Sequence, residues 1–587
     1  MAAKFLKHKW QKVTVYTLLT VAVLIIAGAL ILNSYLKPML QDKLRSSIRE
    51  SSDSLYIADF KEAEISLLRG KITIDSATLR VDTAAYKAKK RAGTAPNNLY
   101  SLKVKQITLA GVKALKFYFS KKIDVGRIIL IEPEIDMSYE ANNTEDKPST
   151  DKRTIWQRIS KSLNSIRVGE IVLDNLKFRH IDYAHKRPLL TEINEVNLHA
   201  ADLLIDSVTQ GDTSRFFYCK DVTTEIKNYS GKTPDALYLY DINSIKLSTR
   251  SKQLCIQGIK LKPFNNLLFF NKTRSDRFTI SLDSVQLNRF DFMTFYKYRS
   301  FSAEGIKISD GTISIYKAPN KISTPAKENI KTFPHVALRN LDFGLRIDTV
   351  TLKKVNLVYT EYNKKSGQTG SLTFSKTSGK LLNITNNKRA LQKNNLCNIS
   401  LTSYFMNRGR LDVKFTLNLT DKDAAFSYRG SLGPMELSGI NRGVAPIAMV
   451  KVTSGNLKRL DFSIDANRYR AKGQVKLLYN DLKIGILKRD EDDGKLKKKG
   501  LMSILANHLV IERNNPDEPG KAPRSANINF IRPVNYAFFK LVWKTLFAGI
   551  KECAGVSDMD EKKANSKLSE KDLEKQKKAK EKKKKKD

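Results

Sequence analysis

IRVGEIVLDNLKFRH (residues 166–180) and LRIDTVTLKKVNLVY (residues 345–359) decide the fold class. In both, apolar and polar residues alternate, the period-two pattern of a strand with one buried face. Each also carries apolar or aromatic residues at i, i+2, i+7 and i+9: Ile171, Leu173, Phe178 and His180 in one, Val350, Leu352, Leu357 and Tyr359 in the other. The same spacing occurs as Ile65, Leu67, Ile72 and Ile74 around Arg69-Gly70, and as Ile128, Leu130, Ile135 and Met137 around Glu132-Pro133. It returns as Ile306, Ile308, Ile313 and Ile315 around Asp310-Gly311, and as Val475, Leu477, Leu482 and Ile484 around Tyr479-Asn480. Gly, Pro, Asn and Asp between the apolar pairs predict a two-stranded hairpin at each site.

Two copies belong to a longer duplication. RIILIEPEIDMS (residues 127–138) aligns with GIKISDGTISIY (residues 305–316), and each is followed by a polar, Pro-containing stretch. The opening pair, 166–180 with 345–359, then follows at nearly the same offset of about 180 residues. A shared offset across two separated blocks indicates tandem duplication. Repeated β-units that cannot bury their apolar face alone stack into extended bodies. The expected fold is therefore mainly β: an elongated, repetitive antiparallel sheet body. Two separate sandwiches of similar topology are the alternative.

The 587 residues are 41% hydrophobic and 28% charged, enough to bury a core, with a net charge of +44. That excess suits an anionic partner, such as a lipid surface, a lipopolysaccharide or a nucleic acid. The N-terminus favours a membrane setting over nucleic acid. VTVYTLLTVAVLIIAGALIL (residues 13–32) has no charged residue, and at 1.5 Å rise spans roughly 30 Å, the thickness of a bilayer core. Lys4, Lys7, Lys9 and Lys12 precede it, which keeps the N-terminus in the cytoplasm and exports the body. A cleaved signal peptide is the competing possibility, with Ala27-Gly28-Ala29 lying inside the apolar run. Leu36, Leu40, Leu44 and Ile48 then predict an amphipathic helix.

Catalytic chemistry finds no support. The cysteines (Cys219, Cys255, Cys397, Cys553) are scattered singly, so no thiol-redox or zinc-ribbon pattern exists. Cys219 and Cys255 are candidates for a disulfide in an oxidising compartment, and small buried hydrophobes otherwise. His180 and His185 would face opposite sides of a strand, and no GxSxG, HExxH or phosphate-loop motif occurs. Neither enzyme activity nor a metal or other cofactor is expected.

The C-terminal third carries SYRGSLGPMELSGINRGVAPIAMVKVTSGNLKRLDFSI (residues 427–464), AKGQVKLLYNDLKIGIL (residues 471–487) and LANHLVIERNNP (residues 505–516). These segments resemble the carboxy-terminal part of AsmA-like envelope proteins, of the type containing the domain of unknown function 748. EAEISLLRGKITIDSATLRV (residues 62–81), following the apolar N-terminal segment, is similar to the opening of that family. The resemblance rests on turns and strand patterns, so it speaks to fold before function. It implies a Gram-negative inner-membrane protein of the Bacteroidota, with a periplasmic β-body curved into a groove or taco-like trough. It also implies lipid transport or another role in outer-membrane biogenesis.

Within that frame, Ile65, Leu67, Ile72, Ile74, Ile128, Leu130, Ile135, Met137, Ile306, Ile308, Ile313, Ile315, Val475 and Leu477 are candidates for a lipid groove; a closed core is the alternative. PVNYAFFKLVWKTLFAGIKEC (residues 533–553) is an amphipathic helix with Phe538, Phe539, Trp543 and Phe547 as membrane-interface candidates. It would otherwise close the end of the β-body. The lysine-rich tail that ends in EKKKKKD is a solvated, disordered segment able to meet anionic lipid. Asp-Ser/Thr pairs followed by small or aliphatic residues resemble an O-glycosylation signal of exported Bacteroidota proteins. They make Ser76, Ser207, Ser284 and Thr349 candidate glycan sites, against ordinary turn chemistry.

The expected organisation is a cytoplasmic basic segment (1–12), a transmembrane helix (13–32), an amphipathic helix (33–54) and two β-repeat regions (55–260 and 261–440). A C-terminal β-region (441–532), the aromatic helix (533–553) and the tail (554–587) follow. The expected function is binding of phospholipid or another envelope lipid by an inner-membrane-anchored periplasmic protein. A non-catalytic scaffold that recruits envelope proteins is the second reading, and DNA binding through the tail a third. Expected partners are the inner membrane, envelope lipids, the anionic inner leaflet of the outer membrane and envelope proteins.

Overall fold

Long bulged strands make up most of the chain. The computed structural model describes residues 46, 48–50, 52–66, 70–142, 154–184, 188–212, 214–233, 235–273, 275–317, 328–490, 495–498 and 511–556. The expected span (13–32), Leu67, most of the following amphipathic helix and nearly all of the tail lie outside them. Among the described residues, no helix is long and apolar enough to cross a membrane. The chain divides into two compact units, 1–264 with 283–304, and 265–282 with 305–587.

The first unit begins with β1 (Tyr56–Asp59), β2 (Glu62–Ser66) and β3 (Lys71–Val81), with α1 (Thr83–Arg91) after β3. Both β1 and β2 pair antiparallel with β3, and Ile65 is the register partner of Ile72, as the hairpin reading requires. β4 (Asn98–Ala110) follows, then α2 (Ala114–Ser120), β5 (Lys122–Ile131), β6 (Glu134–Tyr139) and α3 (Ile155–Ile159). The long strands β7 (Ser165–Asp182), β8 (Leu189–Ile205), β9 (Cys219–Lys232), β10 (Tyr238–Ser248) and β11 (Gln253–Pro263) complete the ladder. Strands β7 to β11 are antiparallel neighbours in sequence order. Strands β12 (Arg277–Asn288) and β13 (Phe301–Tyr316) each have residues in both units.

Around Glu132-Pro133 the hairpin reading is overturned. β5 and β6 run in the same direction, both antiparallel to β4 and both parallel to β7, so the sheet is mixed. They are one strand broken by Glu132, at φ 48°. The same correction applies to four further copies. Residues 171–180, 306–315, 350–359 and 475–484 each lie within one continuous strand. Left-handed residues interrupt each of them: Asn175, Asp310, Lys354 and Asp481, at φ 52–58°. The physical reason is parity. The step from i+2 to i+7 is odd, so a regular strand would turn the second apolar pair to the opposite face. One extra bulged residue restores the first face, just as a turn would, and bends the strand.

In the second unit, β14 (Leu345–Asn363), β15 (Gln368–Thr385), β16 (Leu396–Phe405), β17 (Gly409–Asn418) and β18 (Phe426–Leu432) pair antiparallel in turn. After the short β19 (Met435–Glu436), β18 pairs with β20 (Val450–Ala466), which pairs with β21 (Arg470–Arg489). β22 (Leu496–Lys498) and β23 (Ser525–Ile531) both pair with β21. Its helices include α4 (Pro334–Arg339), α5 (Asn441–Ala448) and α6 (Phe538–Cys553).

The duplicated segments share a hydrogen bond as well as a pattern. The bulged Asn175 N–H donates to Asn197 Oδ1 (2.9 Å), and Lys354 N–H donates to Ser378 Oγ (2.9 Å). Each acceptor lies two residues beyond the next left-handed residue, Glu195 or Lys376. A side-chain oxygen thus satisfies a main-chain donor that the bulge removes from the ladder. The four cysteines are free, with Cys219, Cys397 and Cys553 buried, so no Cys219–Cys255 bridge forms.

Candidate functional site

The left-handed residues of the β5–β6 break, β7, β8, β9 and β11 align into a row across the first unit. Glu132 N–H donates to Asp174 O (2.9 Å) and Asn228 Nδ2 to Glu195 Oε1 (3.0 Å), linking neighbouring bulges in β5/β6, β7, β8 and β9. In β11 the bulge residue is Gly258, at φ 64°, where a Cβ would lie 2.2 Å from Asn243 Nδ2. Glycine suits that position because of the close approach of Asn243, whereas neighbouring bulges hold Asn175, Glu195 and Asn228 in the same left-handed conformation. Because β7, β8, β9 and β11 bulge at a level matching the β5–β6 break, and β10 stays in register with both its neighbours, the apolar residues keep to one face through the bend.

That face is continuous by register. Ile128, Leu130, Ile135 and Met137 align with Ile171, Leu173, Phe178 and His180. Phe178 aligns in turn with Ile193, and Val196 with Ile226. Beyond them lie the cross-strand pairs Tyr240–Leu261, Ile242–Ile259, Ile245–Ile256 and Leu247–Leu254. Six strand positions from β5/β6 to β11 cover about 24 Å at the usual interstrand spacing. Half of a bilayer core is about 15 Å thick, so the face has room for an acyl chain.

The opposite face is ionic. Lys177 Nζ lies 3.2 Å from Glu134, Arg179 Nε 2.7 Å from Asp136, His199 Nε2 2.6 Å from Glu170 and Lys246 Nζ 3.3 Å from Glu225. Arg127 also contacts Glu170, and the hydrogen bond with His199 first, then Arg127, holds that carboxyl below its ordinary range. Pairs as exposed as these add little stability, and their effect is to commit one face to water. On the apolar side, burial lowers the His180 pKa and raises that of Tyr229, which keeps both groups neutral. The Tyr240 hydroxyl donates to the Tyr229 oxygen at 3.2 Å, satisfying part of the polar content of this face.

Cover distinguishes one end of the face from the other. Near β3–β5, Ile72, Ile74 and Ile128 are buried in the core of the first unit, with half-buried Leu130 and Ile135 packed against it. Met137 is also buried. The four pairs on β10 and β11 are half-buried, and none of them belongs to either core. Among the described residues, no helix packs over β9–β11 in the way that α6 packs over β21 and β23. These pairs carry the strongest groove character, and the sequence analysis did not single them out. Their alternation was visible, whereas their lack of cover was not.

The remaining candidates are dispersed. Ile65 lies in β2. Ile306, Ile308, Ile313 and Ile315 are half-buried along β13. Val475 and Leu477 belong to the core beneath α6, a covered position that removes them from any open groove. Phe538 is in that core too, packed on Phe333 and Phe426, which removes it from a bilayer-facing set. Phe539 is 63% exposed, and Trp543 and Phe547 are half-buried with ring centroids 5.2 Å apart. Ser76 is exposed in a left-handed bulge, and Ser207 is exposed where Asp206 Oδ1 accepts from the N–H groups of Val208 and Thr209. Ser284 and Thr349 are half-buried within β12 and β14.

No protein-family model matches the chain, and no curated protein matches it with significance.

Proposed function

We propose that the chain is an AsmA-like protein of the bacterial envelope, anchored in the inner membrane, that shelters lipid acyl chains on its apolar sheet face without catalysing a reaction. The observation that carries this reading is the set of half-buried pairs on β10 and β11, continuous with the apolar face of β5–β8 and backed by an ion-paired face. Each methylene kept from water contributes roughly 0.8 kcal/mol, so even a partly engaged acyl chain gains several kcal/mol. Bound this way, a lipid would be held by shape and apolarity alone, which suits passage along a surface. The closed core under α6 favours a second reading, in which the β-body is a scaffold for other envelope proteins.

Lipid mass spectrometry separates the two. The body without residues 1–45, purified free of detergent, should carry phospholipid in stoichiometric amount. The pair Ile245→Asp and Ile256→Asp, facing each other across β10 and β11, should abolish that lipid while circular dichroism stays unchanged. A folded wild-type body with no lipid would discard the carrier reading in favour of the scaffold.

A further inference from the structure

At one end of the strands of the first unit, KALKFYFSKK (residues 113–122) forms α2 and its flanks. Leu115, Tyr118 and Phe119 are 73%, 81% and 76% exposed. Their i, i+3, i+4 spacing places them on one side of the helical turn. Phe117, between them in sequence, packs instead against the core.

The tip is held, so its exposure is built in. Lys113 N–H donates to Asp124 O (3.0 Å), and Lys121, at φ 48°, donates its N–H to Phe117 O (3.0 Å). Asn164 clamps the far side, with Nδ2 on Ser120 O and its N–H on Lys121 O, both at 2.8 Å. Lys116 Nζ and Lys113 Nζ reach the buried Asp124 carboxylate at 2.7 and 3.4 Å. Lys121 and Lys122 are exposed, and their side chains make no ion pair among the described residues. On the same end of the sheet, where Ile166 pairs with Ile205, the following loop presents Val208 at 80% exposure, fixed by the Asp206 carboxylate.

We propose that this tip is a membrane-contact site, dipping Leu115, Tyr118 and Phe119 into the interface of an anionic phospholipid bilayer. The chemistry is complementary. Phe and Leu supply apolar bulk, Tyr sits well at headgroup level, and the unpaired lysines attract anionic headgroups while their stems lie along the apolar surface. A small protruding tip with a cationic rim suits penetration of a soft surface. A protein interface instead needs roughly 800 Å² of complementary area on each partner. The contact is also separate from the N-terminal segment. The chain enters at Tyr56, opposite Val81, whereas α2 follows the other end of the ladder, where Ile72 faces Leu109. The two points are about 30 Å apart along β3 at the usual rise per residue.

The test uses the full chain in proteoliposomes of phosphatidylcholine with or without phosphatidylglycerol. Phe119→p-benzoylphenylalanine is photolysed and the adducts are identified by mass spectrometry, with Gln257→p-benzoylphenylalanine on the exposed ionic face as control. The expected result is phospholipid attached at position 119, several-fold above position 257 and increased by phosphatidylglycerol. Lys121→Glu with Lys122→Glu should cut that yield about tenfold or more. Since the inference shares its envelope setting with the lipid-carrier reading, the test is repeated in the Ile245→Asp, Ile256→Asp background. Persistence of the adduct there places it at the tip and leaves the groove question separate; its loss would assign it to groove lipid and overturn the proposal. Equal labelling at 119 and 257, or attachment to a second copy of the chain in place of lipid, would also overturn it.

Discussion

Ile245 and Ile256 in the first unit, and Val475 and Ala526 in the second, are apolar residues facing each other across neighbouring antiparallel strands. The first pair is half-buried on a face with no helix packed over it. The second is sealed beneath α6, whose Gly549 lies directly against Val475 and Ile528. Tyr428 OH donates to Val542 O (3.4 Å) and Cys553 Sγ to Val475 O (3.3 Å), so side chains also fasten the cover to the sheet. Strand alternation is the same in both places. What differs is a sixteen-residue helix that is close in space but distant in sequence from much of the sheet it covers. A strand pattern therefore determines which face is apolar and leaves open whether that face is a core or a surface.

The most severe challenge to this contrast is paired truncation. Leu541→Ala, at a side chain with 0% exposure, should cost about 2–5 kcal/mol in urea unfolding. Ile245→Ala should cost less, about 1–2 kcal/mol, because part of its surface already meets water and no helix packs on it among the described residues. Equal losses would mean that the β10–β11 face is covered after all.

Gly549→Ala examines the seal itself. Its new methyl would sit 2.7 Å from Ile528 Cδ1 and 2.8 Å from Val475 Cβ, and the latter belongs to a rigid β-branched side chain. The overpacking outweighs the gain in helix propensity, leaving a net loss of about 1–2 kcal/mol. An unchanged or raised unfolding midpoint would show that α6 can lift from the sheet without penalty.

Protonation sharpens the comparison next. His335 in α4 is buried beside Phe333 and Phe426, and burial pushes its pKa below the ordinary 6.5. The unfolded chain then binds the proton more readily than the folded one. Its contribution is present above pH 6.5 and is lost as the pH falls below that value toward the depressed folded pKa. Acidification should lower the unfolding midpoint of the wild type more than that of His335→Phe, read by tryptophan fluorescence against pH. Identical pH profiles would remove His335 as the cause.

The smallest effects should fall on the bulges. Asn197→Ala and Ser378→Ala each take away the acceptor that holds a bulged N–H, in corresponding places of the two repeats. Losses of about 1 kcal/mol each, equal within error by chemical denaturation, are expected. Clearly unequal losses would show that the repeats have diverged in how they hold the bend.

Much of this architecture was visible before any coordinate. The i, i+2, i+7, i+9 spacing marked strands correctly, and the same spacing at Ile72, Ile74, Leu79 and Val81, around the left-handed Ser76, was equally available. Turn and bulge both correct an odd step, and Asn, Asp and Gly serve either, so the local residues could not distinguish them. Only pairing partners do so: Glu132-Pro133 looks like a hairpin until β5 and β6 are both found parallel to β7. The stripe of α6 was legible as amphipathic, whereas the choice between sheet and membrane as its partner was not. At the α2 tip, nothing in KALKFYFSKK says that Phe117 turns inward while Tyr118 and Phe119 remain in water.

By itself, the sequence determined the β class, the recurring strand spacing, the apolar face of each strand and the strong positive charge, because side-chain periodicity and composition are local properties. Tertiary structure alone decided that the repeats are bent strands, that α6 seals one sheet face and that the β10–β11 face has no such cover. Those outcomes depend on which distant segments meet and on the solvent each meeting excludes, and neither is encoded within a window of ten residues.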